Sequence, residues 1–350
     1  EKTLPLTTTQ NAGVKVLADH LGLSKATVSK ALNGYPQVSE ATRQRVLEAA
    51  EQLGYATPEN EAANRPLGRS KRIGWLYRSA TREMNPDQFN ASNGFQYVAQ
   101  EMRDIRMEVL LLPQFQDKPA GRTLSQLVAD YHLDGAFISD IQVHDLLFQE
   151  VQEVFVPLVF WGAPPVAEQA NVCAVTYDSI VGIGKTMAHL LSLGHRRIGF
   201  LNGNSGAYVS QERLDGYILA LTRAGVSFDP TLVWEGDYSF ACGAPALDYF
   251  LQKGVTAICC ASDKMAIGAA HAATQRGLSI PEDLSIVGYD DDPVCSSMFP
   301  SLTTVAQDFF RIGRVAATLM TCMLRGLPVG PVSIHPELLV RGSTAAPKHT

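Results

Sequence analysis

Residues 17–33 read LADHLGLSKATVSKALN, and their spacing decides how the chain begins to fold. Leu17, Ala18 and Leu21 share one helical face. Gly22 follows where a tight turn needs φ > 0, and Leu23 supplies an apolar plug. Ser24 offers an oxygen to cap a second helix, in which Val28 and Leu32 repeat at i, i+4. Two short helices about a glycine turn make a helix-turn-helix, whose second helix fits the major groove of DNA. Away from its apolar stripe that helix shows Lys25, Thr27, Ser29, Lys30 and Asn33. These are donors suited to phosphates and base edges, and no acid stands among them. A solvated helical hairpin would show the same stripe, so the continuation has to separate the two.

Asn33-Gly34-Tyr35-Pro36 breaks the second helix, and Ser39 can cap a third over about 40–53, stopped by Gly54. Val46, Leu47, Ala50 and Leu53 give it a stripe that closes a three-helix core. LADHLGLSKATVSKALNG followed by VSEATRQRVLEAAEQLGY resembles the headpiece of the lactose-repressor (LacI/GalR) family of bacterial transcription regulators. Turn glycine, cap, recognition helix and third helix recur in order. By that resemblance Lys25, Ala26 and Lys30 face the major groove, with Ala26 packed on a thymine methyl.

Of 350 residues, 46% are hydrophobic and 18% charged, as expected for a multi-domain globular chain able to bury sizeable cores. The net charge of −6 argues against a uniformly basic nucleic-acid coat. It is unevenly spread, however. Residues 1–72 hold ten Lys/Arg and seven Asp/Glu, +3, against nineteen and twenty-eight, −9, in the remainder. A mildly basic head on an acidic body suits a protein that touches DNA at one end. The six cysteines form no CxxC pair and no zinc-like spacing with histidine, and read as small buried hydrophobes in a reducing compartment. No apolar run approaches the roughly 18 residues of a membrane helix, and EKTLPLTTTQNAG lacks a secretory h-region. A cytoplasmic location is the expectation.

Three divisions follow: a headpiece at 14–56, a linker at 57–72 and an effector-binding and dimerisation domain at 73–344. The linker, TPENEAANRPLGRSKR, is polar and contains proline. In the resembling family it folds as a hinge helix on the operator and wedges a leucine into the minor groove. Leu67 is the candidate wedge. Pro66 before it breaks a helix interior and pushes Arg65 toward extended geometry, so a plain tether stands beside the hinge helix as an alternative.

From Ile73 onward short apolar runs alternate with amphipathic stretches. Strands are expected at 73–77, 108–112, 135–139, 158–160, 197–201, 257–261 and 284–289. Helices are expected near 89–106, 124–131, 145–154, 179–193, 213–224, 241–252, 264–276 and 308–325. The alternation implies an α/β architecture of parallel sheets, with ligands beyond the carboxyl ends of the strands. About 270 residues of it suggest two lobes and a cleft, like a periplasmic binding protein. VTYDSIVGIGKTMAHLLSLGHRRIGFLNG, RLDGY, SDKMAIGA, PEDLSIVGYDDDP, PSLTTVAQDF and LLVRGST also look like core blocks of the same family. That resemblance implies a first lobe of about 73–172 plus 305–328 and a second of about 173–304 plus 329–344.

It also implies a ligand set. Arg213 in RLDGY holds a hydroxyl or carboxylate, and its planar fork suits bidentate contacts. Asp290, after LSIVGY, matches a sugar-binding aspartate. Ser262 stands where asparagine is common, and Gln307 and Phe309 match the cleft floor. Tyr238 and Trp161 are candidates to cover a sugar face, or else belong to the core. Arg78, where a small polar residue is usual, suggests an effector bearing a negative group. Arg213 and Asp290 are expected on opposite walls of the cleft.

Asp290-Asp291-Asp292 has no second acidic cluster to complete a metal site. Residues 182–186, GIGKT, imitate a phosphate loop, yet position 179 is Ser and the segment reads as helix. No HExxH, GxSxG or cofactor loop occurs. An effector-controlled DNA-binding repressor therefore stands ahead of an extracytoplasmic sugar-binding protein, which the headpiece contradicts, and of a sugar-metabolising enzyme, which lacks a nucleophile or acid–base pair. The expected partners are double-stranded operator DNA, a small sugar-like effector and a second copy of the chain, with no cofactor, metal or membrane. A homodimer is expected because one headpiece reads one half-site.

Overall fold

The computed structural model describes residues 14–32, 38–52, 70–77, 91–104, 107–112, 123–142, 147–164 and 169–348. Three helices open it: α1 (Val14–Leu21), α2 (Lys25–Leu32) and α3 (Glu40–Gln52). Gly22 takes φ +64° between the first two. Ser24 Oγ accepts the Thr27 N–H at 3.0 Å and Ser39 Oγ the Thr42 N–H at 3.3 Å, so each serine satisfies an otherwise orphaned donor. Leu17, Ala18, Val28, Ala31, Val46, Ala49 and Ala50 form the shared core. Leu32 packs against it from a half-buried position, and Leu47 is half-buried. Small alanines at its centre let three short helices approach closely.

The first sheet has the order β11-β5-β4-β3-β1-β2 and is parallel throughout. Its strands are β1 (Lys71–Tyr77), β2 (Met107–Leu112), β3 (Gly135–Ser139), β4 (Leu158–Trp161), β5 (Val172–Tyr177) and β11 (Val332–Ile334). Period-two alternation divides its side chains. Trp75, Tyr77, Phe137, Val159 and Val175 meet α4 (Ala91–Asp104) and α12 (Phe309–Leu324). Leu76, Ala136, Ile138 and Phe160 face the layer of α5 (Leu124–Asp130) and α6 (Leu147–Glu150).

The second sheet, β12-β10-β9-β8-β6-β7, comprises β6 (Ile198–Asn202), β7 (Val233–Glu235), β8 (Ala257–Cys260), β9 (Ser285–Asp290), β10 (Thr303–Ala306) and β12 (Glu337–Leu339). Only β12 runs antiparallel. It is covered by α7 (Ser179–Ser192), α8 (Tyr208–Arg223), α9 (Gly243–Gln252) and α10 (Asp263–Gln275), with the short α11 (Val294–Ser297) beside it. Cys259 and Cys260 are fully buried in its core, and all six cysteines are free thiols.

The boundaries between lobes differ from the sequence expectation. β5 pairs with β4 and β11, so residues 173–177 belong to the first lobe. So do 332–334, whereas 305–306 complete β10 in the second. The chain passes between lobes at 178, 307–308 and 335–336, not at 172/173, 304/305 and 328/329. Register decides this. Apolar composition cannot show which sheet a short strand joins. Two of the passages run straight into helix caps. Asp178 Oδ1 accepts the Val181 N–H at the start of α7, and Asp308 Oδ1 the Arg311 N–H at the start of α12, both at 2.9 Å. The third is held by Lys185 Nζ donating to Pro336 O at 2.7 Å.

Candidate DNA-reading helix and ligand cleft

On α2, Lys25, Ala26 and Lys30 are exposed, while Thr27 and Ser29 are partly covered. Thr27 Oγ1 lies 2.8 Å from Ser24 Oγ and so helps close the cap. Val28 and Ala31 point inward, leaving the lysines and Ala26 on the outer surface. Asn33 and Leu67 fall outside the described residues.

The cleft lies beyond the carboxyl ends of both parallel sheets, where the open strand ends expose backbone and polar side chains. Backbone strain marks it. Asp140 after β3, Tyr238 after β7, and Asp290 and Asp291 at the end of β9 have φ of +57°, +64°, +120° and +62°. Each such conformation costs on the order of 1–3 kcal/mol in a non-glycine residue and persists where surroundings over-determine it. His132 is the one other non-glycine residue with positive φ among the described residues.

Arg213 projects from α8 and is 6% exposed. Nη1 donates to Ala261 O, Nη2 lies 3.9 Å from Asp290 Oδ1, and the guanidinium carbon sits 4.0 Å over the Tyr289 ring. Gln307 Nε2 donates to the same Asp290 Oδ1 at 2.8 Å. Burial pushes the Asp290 carboxyl up to about 8, and the Arg213 guanidinium pulls the other way. The two therefore do not face each other across the cleft. Both belong to the second lobe and make one buried pair on a single wall, because the long Arg213 side chain reaches from α8 over the Tyr289 ring to Asp290 at the end of β9.

Tyr238 lies against the backbone of Gly203, where any β-carbon would collide with its ring. Its hydroxyl is 2.6 Å from Ser210 Oγ. Ser262 is fully buried and its hydroxyl accepts the Met265 N–H at 3.3 Å as the cap of α10. It has no free face for a ligand, so its expected ligand role is corrected to a structural one. Asp263 beside it accepts from Thr304 Oγ1 at 2.5 Å and from the Asp292 N–H at 2.7 Å, tying β10 and the loop after β9 to α10.

On the first lobe, Trp161 is half-buried at the end of β4, 5.3 Å from Trp75, and Phe309 meets Tyr177 edge-on at 6.5 Å. Both rims combine core contact with partial exposure. Arg78 lies outside the described residues. Asp140 is a cleft group that sequence reasoning missed. Trp75 Nε1 donates to Ser139 Oγ at 3.1 Å, and Ser139 Oγ donates to Asp140 Oδ2 at 3.1 Å. Burial of the carboxyl pushes Asp140 up to about 6, opposed by the hydrogen bond from Ser139, although the residue as a whole is exposed. The available signal was its place directly after the strand GAFIS. Among the described residues no group of histidine, cysteine and acid side chains could hold a metal ion, and no helix is long and apolar enough to cross a membrane.

A helix-turn-helix followed by a two-lobed binding fold defines the class of ligand-controlled DNA-binding regulators. Residues 15–58 match the model of the bacterial regulatory proteins of the lacI family, and residues 187–344 match a periplasmic binding protein-like domain. The chain is 31% identical to the HTH-type transcriptional regulator CelR of Thermobifida fusca over 346 residues, covering 94% of this chain and 97% of that one. It is likewise 31% identical to the HTH-type transcriptional repressor CytR of Escherichia coli K12, covering 96% and 97%. Among solved structures, a CelR–cellobiose complex superposes with a TM-score of 0.68 at 30% identity, covering 94% of this chain and 99% of that one. A lac repressor dimer bound to operator and the anti-inducer ONPF gives 0.67 at 25%, covering 96% and 100%. The chain belongs to the lacI family of bacterial transcriptional regulators.

Proposed function

We propose that this regulator is a repressor of carbohydrate-utilisation genes, controlled by a small sugar-like effector in the cleft. The observation that carries the reading is the Arg213–Asp290–Gln307 cluster, a buried arrangement of donors and acceptors at the strand ends with Tyr238 alongside. Charge-assisted hydrogen bonds from such a cluster suit vicinal hydroxyls, and an aromatic face suits the apolar side of a sugar ring. Trp161, Phe309 and Asp140 supply the facing wall. The cellobiose held by a relative of the same architecture supports this class of ligand. The protein acts as a homodimer, two headpieces matching the two halves of a pseudo-palindromic operator. Lys25, Ala26, Thr27, Ser29, Lys30 and Asn33 read the major groove, with Leu67 at the minor groove. It acts in the cytoplasm and performs no catalysis, its polar cluster being built to hold rather than to transform.

A thermal-shift screen of neutral sugars, sugar acids and sugar phosphates tests this, run on the wild type, Arg213→Ala and Asp290→Ala. A hit should stabilise the wild type and neither variant. A hit that stabilises all three equally places the pocket elsewhere.

A further inference from the structure

The three covalent passages all lie at one edge of the molecule, because β5 and β11 border the first sheet and β10 and β12 border the second. A hinge at one edge leaves the opposite side of the cleft free to gape. Away from that edge the lobes are nevertheless bridged, between the segments that follow β3 and β6, both inner strands of their sheets. The Tyr208 N–H donates to Ile141 O at 3.1 Å, and Gln142 pairs with Ala207 as an isolated antiparallel bridge. Ile141 and Gln142 follow β3 in the first lobe, whereas Ala207 and Tyr208 open α8 in the second. The contact extends into side chains. Tyr208 packs into the first-lobe cluster that includes Ile138 and Ile141. Val209 lies against Gly162, where an added methyl would meet its Cγ1 at 3.8 Å.

We propose that Tyr208 is a positioning residue, the plug by which α8 docks on the first lobe and sets the cleft angle away from the hinge edge. The ligand anchors follow on the same helix. Ser210, bonded to Tyr238, comes two residues later, and Arg213 one turn further on. Asn202 Nδ2 donates to Ser210 O at 3.2 Å and fixes this turn to the end of β6. A ligand that draws Arg213 or Tyr238 into the cleft therefore moves the helix end that holds the first lobe. The plug thereby couples the ligand anchors to the position of the first lobe. Position 208 is the first residue of α8, where a helix gains nothing from the donor internally, so the N–H is free to serve the other lobe.

The test uses no ligand, so it stands whether or not a sugar binds. Gln142→Cys with Ala207→Cys puts two thiols on a bridged pair, within the roughly 4.4–6.8 Å Cα spacing a disulfide accepts. Mild oxidation of the ligand-free, full-length protein should cross-link the lobes, read as a mobility change on non-reducing gels and located by peptide mass. Adding Tyr208→Ala should slow the cross-link about tenfold, the factor for a shift of about 1.4 kcal/mol in the docked population. Tyr208→Phe, which keeps the ring, should restore the rate. Failure to cross-link in the Tyr208 background, or equal rates with Tyr208 and with Tyr208→Ala, overturns the proposal. If the cross-link behaves as expected while no sugar stabilises the protein, the ligand reading fails and the plug survives.

Discussion

Gly182 and Gly184 stand two residues apart in α7, and replacing each by alanine should change stability in opposite directions. Alanine in a helix interior is favoured over glycine by roughly 0.5–1 kcal/mol, and both substitutions receive that gain. Their surroundings differ. Nothing lies within 4 Å of the place a β-carbon would take at Gly184. At Gly182 it would sit 2.6 Å from Tyr289 Oη and 2.9 Å from Pro336 Cγ. Tyr289 is fully buried and carries Arg213 on its ring face, so it has little room to retreat. Pro336 lies in the third passage between lobes. Overpacking of this kind costs about 1–3 kcal/mol, which exceeds the propensity gain. Gly184→Ala should therefore gain about 0.5–1 kcal/mol, and Gly182→Ala should lose up to about 2.5 kcal/mol. Urea melts followed by circular dichroism measure both. Gly182→Ala should also blunt the response to effector by displacing Tyr289, which Gly184→Ala should not. Equal stability of the two variants would refute the reasoning.

Lys30→Ala should weaken specific operator binding, by about 1–3 kcal/mol if the amine reaches a guanine edge. Anisotropy titrations on specific and scrambled duplexes across salt separate that from a phosphate contact, which weakens both alike; no change on either would remove α2 from the interface. Ser262→Ala should cost about 1 kcal/mol of stability through the lost cap of α10. Its effector affinity should match the wild type, and calorimetry showing a large loss would return Ser262 to the ligand set. Asp290 carries a carboxyl raised to about 8 by burial. Since the native state then binds the proton more tightly than the unfolded chain, stability should fall as pH rises from about 4 to about 8. Asp290→Asn should flatten that slope in thermal melts, and an unchanged slope would contradict the burial argument.

Most of the fold was legible because its signals are local. The cap serines Ser24 and Ser39, the turn at Gly22 and the apolar runs of β1 to β4 depend on neighbours within a few residues, and each appears where spacing placed it. The lobe boundaries were not legible to the same degree. β10, β11 and β12 are short, and for them and for β5, which ends at a passage between lobes, only hydrogen-bond register assigns the strand to a sheet. The site divides in the same way. Arg213, Asp290 and Gln307 lie together, with Tyr238 bonded to Ser210 one turn before Arg213, but the sequence could not show that Arg213 and Asp290 share a wall. Ser262 looked like a ligand group because a serine ending a strand and a serine capping a helix read alike. Asp140 escaped because its importance rests on a positive φ and on a lobe distant in sequence. Tyr208 escaped for a related reason: its partner is the other lobe.

The central claim is that one chain couples a DNA-reading headpiece to a ligand cleft. The most direct measurement is operator affinity with and without a sugar found in the screen, paired with affinity for that sugar with and without operator. Both should change by the same factor, about 5–150-fold for a coupling of about 1–3 kcal/mol. Arg213→Ala should abolish the change while leaving operator affinity without ligand nearly intact. Operator affinity unmoved by a saturating ligand that demonstrably fills the cleft would contradict the account.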